Sequence, residues 1–78
     1  MVMKKYIILV SFYYNDGSLT RFIDTFFSGE EPREYTYDAK GYAVTAYVFS
    51  SLSECRDYVE AIDGDFKKCI MDDSKEYD

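Results

Sequence analysis

Residues 5–14, KYIILVSFYY, hold three β-branched and four aromatic side chains in ten positions, with neither Gly nor Pro among them. That content favours a strand. Apolar residues occupy both parities of the run, so the strand is expected at the centre of a sheet, covered on both faces. In a chain of 78 residues there is room for one domain, and folding buries only about 60% of the surface the extended chain exposes. Every other element has to be arranged around this strand.

Asn15-Asp16-Gly17-Ser18 follows as a turn signal, and the next stretch, 19–27, supports two readings. As a helix, Leu19, Phe22, Ile23, Phe26 and Phe27 recur at the spacing of one apolar face, with Asp16 or Ser18 to cap the start and Gly29 the end. As the second arm of a hairpin, Thr20, Phe22, Ile23, Thr25, Phe26 and Phe27 have the propensity for strand, and Asp16-Gly17 reverses the chain. Periodicity favours the helix; propensity favours the strand. Beyond Pro32, residues 33–38 read as a polar strand with Tyr35 and Tyr37 on one face and Glu34, Thr36 and Asp38 on the other. A turn at Ala39-Lys40-Gly41 leads into YAVTAYVF, 42–49, which is again apolar on both parities.

Ser51 and Glu54 have the spacing of a capping box, and Leu52, Cys55, Tyr58, Val59 and Ile62 form an apolar stripe that Gly64 can close. This predicts a helix of about three turns. Residues 65–71 read as a last, short edge strand. The domain is expected over 1–73, with an acidic tail over 74–78. With 19–27 helical, the order becomes strand, helix, strand, strand, helix, strand. The two strands apolar on both faces then fall at the middle of a ferredoxin-like α+β sheet carrying its helices on one face, and the polar ones at its edges. With 19–27 extended, the fold is instead a five-stranded antiparallel sheet with one helix.

The chemistry available is narrow. There is no His, which removes the commonest general base, and no Gly-rich phosphate loop occurs, so no cofactor and no catalytic residue is expected. Cys55 and Cys69 are too few for a disulfide scaffold or a zinc site and read as buried thiols. Asp72, Asp73, Glu76 and Asp78 read as a loose acidic tail before a cation site. The apolar N-terminal run lacks a cleavage motif and is short for a span, which predicts a cytoplasmic protein without membrane contact. Tyr6, Tyr14, Tyr42 and Tyr47 sit on the presumed central strands, where RNA-recognition modules stack bases. A net charge of −6 and the absence of those modules' motifs argue against direct nucleic-acid binding.

Acidity remains as a functional lead. Glu34, Thr36 and Asp38 lie along one strand face, the Glu30-Glu31 loop continues the row, and Asp57, Glu60 and Asp63 share a helix face. Carboxylates held on a small rigid domain can stand in for phosphates in a basic groove. In its small size, acidity, tyrosine content and lack of a catalytic set, the chain resembles the inhibitors that phages and other mobile elements encode against bacterial defence, such as anti-CRISPR and anti-restriction proteins. The resemblance is one of kind and carries no motif. It implies a non-enzymatic inhibitor acting in the host cytoplasm, bound to a basic nucleic-acid-binding surface of a defence complex through these carboxylates, with Tyr35 and Tyr37 as further anchors. Two other expectations stand beside it. One is an interaction module, such as an antitoxin or assembly factor, that uses a Tyr-bearing sheet face and can form a homodimer. The other is a sensor or sponge for a small ligand.

Overall fold

The computed structural model describes residues 2–71; the tail expected over 74–78, and the acidic residues from Asp72 onward, lie outside the described residues. Strands β1 (Lys4–Tyr14), β2 (Leu19–Ser28), β3 (Tyr35–Ala39) and β4 (Tyr42–Phe49) precede a single helix, α1 (Leu52–Asp63), a 3-10 turn over Phe66–Lys68 and a two-residue strand β5 (Ile70–Met71). The sheet order is β3-β4-β1-β2-β5. All pairs are antiparallel except β2 with β5. The protein is therefore α+β, an open sheet carrying one helix, with β1 in the middle as its composition requires.

The helix predicted over 19–27 is a strand, and the ferredoxin-like order is not formed. Its place is taken by the one-helix sheet of the other reading, with the short fifth strand parallel. The turn closes the hairpin that the β1–β2 pairing needs. Asp16 accepts hydrogen bonds from the Ser18 amide at 2.8 Å and the Ser18 hydroxyl at 2.6 Å. Gly17 takes a left-handed φ of 90° that a side chain would resist. Tyr14 donates to the Ser18 carbonyl at 2.9 Å, which closes a three-residue hairpin loop and sets Leu9 opposite Ile23. The ordering hydrogen bonds also hold the Asp16 carboxyl below its ordinary range, chiefly through the Ser18 hydroxyl.

The register divides the sheet into two faces. On one lie Ile7, Leu9 and Ile23, which pack with Cys55 and Val59 of α1 into the core; Phe49, Leu52 and Tyr58 pack around it. Burial here drives the fold, at roughly 1.5–3 kcal/mol for each large aliphatic side chain removed from water. Ser51 caps α1 by accepting from the Glu54 amide at 3.2 Å, while the Glu54 carboxylate reaches back to the Ser50 amide at 3.1 Å. Gly64, at φ 73°, ends the helix by donating to the Glu60 carbonyl. Ile62, expected on the apolar stripe, is 49% exposed, because the helix meets the sheet along Cys55 and Val59. The last strand is shorter than the 65–71 expected, since Phe66–Lys68 wind into the 3-10 turn first.

The second correction concerns β1. Both of its faces are apolar, yet α1 covers only one.

Candidate functional site

The uncovered face is built by the even-numbered residues of β1, β2 and β4 and the odd-numbered residues of β3. Registers place Tyr35, Ala46, Val10 and Phe22 in one row across four strands, and Tyr37, Val44, Phe12 and Thr20 in the next. Tyr14 and Tyr42 extend it at one end, Tyr6 with Phe26 at the other. Aromatic rings roof this face themselves. Phe12 meets Phe22 edge-on at 5.6 Å and Tyr42 at 6.1 Å, and Tyr35 and Tyr37 stack at 6.0 Å. Beneath them Val44 and Ala46 are each only 1% exposed. The rings in turn remain open: Tyr14, Phe22, Phe26, Tyr35 and Tyr37 are between 38% and 49% exposed. Only Lys4 and Asp24 bring charge to this face by register, with opposite signs.

The predicted site residues are divided between two sides of the sheet. Tyr35 and Tyr37 belong to the aromatic face. Thr36 and Asp38 project to the helix side, as expected from their parity, and Asp38 is exposed. Glu30 and Glu31 lie exposed in the loop joining β2 to β3. Glu34 is drawn out of the expected row, because its carboxylate accepts from the Val48 amide of β4 at 3.1 Å, beyond the last β3 pairing. Asp57 and Glu60 face water from α1. Asp63 turns away from them to pair with Arg21 of β2 at 2.8 Å. The continuous acidic helix face is thus shortened by one member, whose charge is spent on a buried guanidinium.

That ion pair borders a cleft of about 240 Å³ lined by Leu19, Arg21, Asp63, Asp65, Lys68 and Cys69. Its charges are already matched within the protein, since Lys68 lies 3.8 Å from Asp65. Burial pushes the Cys55 thiol up to about 12, with the neighbouring Cys69 adding to the shift. Cys69 is also raised, first by burial. Neither thiol is poised as a nucleophile. Among the described residues no three His, Cys, Asp or Glu side chains converge as a metal site needs, and no helix is long and apolar enough to cross a membrane.

Phe22, Phe26 and Phe12 were not among the predicted site residues. The helical reading of 19–27 hid the first two by putting them on a buried stripe. The signal that finds them is the second parity of β1, where Tyr6, Ile8, Val10, Phe12 and Tyr14 form an apolar row that no element among the described residues meets. No protein-family model, curated protein or solved structure matches the chain.

Proposed function

We propose that the protein is a non-enzymatic association module that works by burying the bare face of its sheet against another polypeptide surface. The observation that carries this reading is a sheet face with exposed aromatic rings, balanced charge and, among the described residues, no covering element. Exposed apolar patches of this extent mark interaction sites, and Tyr and Phe are enriched where such sites are desolvated. The lack of His and the protonated, unreactive thiols support a role in binding over one in chemistry.

A second reading, the acidic inhibitor of a nucleic-acid-binding complex, is favoured by the exposure of Glu30, Glu31, Asp57 and Glu60. The two separate by salt and by variant. Tagged protein is used to retain partners from nuclease-treated source-cell lysate, with washes at about 0.1 M and about 1 M salt. Association through the sheet face survives high salt and is lost in the double variant Phe26→Thr, Tyr35→Thr. Electrostatic mimicry is lost at high salt and in Glu30→Lys, Glu31→Lys, Asp57→Lys, Glu60→Lys. If wild type is monomeric in solution and retains no polypeptide at either salt, or the aromatic variant retains everything wild type does, the sheet face is not a docking surface.

A further inference from the structure

We infer that the surface covering the bare sheet face is a second copy of this chain, packed sheet to sheet in a two-fold dimer. The inference rests on the association reading above and names its occupant.

Three observations select a second copy. First, β1 is apolar on both parities, and among the described residues one cover, α1, serves its two faces; an identical face supplies the other with matching character. Second, the area suffices. At about 150–250 Å² per aromatic side chain, the five rings that are 38–49% exposed present roughly 450 Å². Two such faces, together with the partly exposed Tyr6, Ile8 and Phe12 between the rings, remove more than about 1,000 Å², the lower limit for a specific interface. Third, the charge fits. The chain carries −6, yet this face holds one Lys and one Asp, so two copies meet there without local repulsion. A face made for a basic partner would carry the carboxylates, and those lie on the helix side and in the β2–β3 loop.

The arrangement has a functional corollary. With the aromatic faces joined, both helices point outward, and each side of the dimer displays its own Asp57 and Glu60. The sheets pack about 10 Å apart, as in a sandwich.

Sedimentation of the purified chain from about 1 to 300 µM, at about 0.05 and 0.5 M salt, tests this directly. The expected species approaches twice the 9.2 kDa chain mass, and the dimer tightens at the higher salt because self-repulsion is screened. Phe26→Glu, Tyr35→Glu places like charges face to face and should weaken the dimer at least 30-fold. Phe26→Thr, Tyr35→Thr keeps strand propensity and should weaken it about tenfold with the far-UV spectrum unchanged. A monomer at the highest concentration overturns the second copy. So does a dimer that both folded variants keep intact. In either case the association reading is judged separately, by whether the Thr variant still loses its high-salt partner from lysate.

Discussion

Arg21 is the residue whose position is least expected from its chemistry. It is 7% exposed on the covered face of β2, Asp63 at 2.8 Å is its ion-pair partner, and its Nε has no hydrogen-bond partner among the described residues. Removing the carboxylate strands a buried cation, so Asp63→Ala should cost about 1–3 kcal/mol in urea unfolding. Asp63 is partly exposed, which keeps the figure below that for a fully buried pair. Adding Arg21→Met should recover most of the loss, since the orphaned charge is then gone; a double variant as unstable as the sum of the singles would show that the pair is not coupled. Cys55 gives a pH signature. Its unfolded thiol ionises near its ordinary 9.0 and its folded thiol near about 12, so in that window the folded state keeps a proton the unfolded state has lost. Stability is intact below pH 9 and falls as pH rises, by at most ~1.4 kcal/mol per pH unit from this group. Chemical denaturation across that range should show a shallower decline for Cys55→Ala.

At the level of elements, the helix α1 depends on Ser51 for its first turn, and Ser51→Ala should cost about 1 kcal/mol, read as a lower urea midpoint with unchanged slope. That helix was legible because its cap, stripe and terminal Gly64 agree with one another. So were β1, and β3 with β4, where propensity and turn residues point the same way. The stretch 19–27 misled because a strand with two apolar faces and an amphipathic helix put neighbouring apolar pairs, Phe22-Ile23 and Phe26-Phe27, at the same positions. Only the pairing of Leu9 with Ile23 across the Gly17 turn separates the two, and that is a tertiary fact. The same ambiguity concealed the candidate site. Tyr35 and Tyr37 were visible as one face of a strand, but Phe22 and Phe26 join them only once β2 is extended. The carboxylates were visible individually, whereas the loss of Glu34 to a β4 amide and of Asp63 to Arg21 depended on neighbours distant in sequence.

The molecule as a whole is a sheet with a helix on one side and aromatic rings on the other. If two copies close over those rings, thermal stability is linked to protein concentration, and the melting temperature should rise across a hundredfold increase in chain concentration. Scanning calorimetry should give a concentration-dependent transition for wild type and, for Phe26→Thr, Tyr35→Thr, the same dependence displaced to about tenfold higher chain concentration. The path from β4 through α1 to β5 crosses over β1 and β2, so the helix lands on Ile7, Leu9 and Ile23, which belong to the other hairpin. Each hairpin can zip locally in about 1–10 μs, and the bed of Ile7, Leu9 and Ile23 is complete within the β1–β2 hairpin. But α1, tethered to β4, is held over that bed only when β4 has joined β1 along Leu9 and Tyr47. Folding is thereby given a sequence in time, with the hairpin seam assembled before the helix settles. Stopped-flow refolding should find Val44→Ala chiefly slowing folding and Val59→Ala chiefly accelerating unfolding.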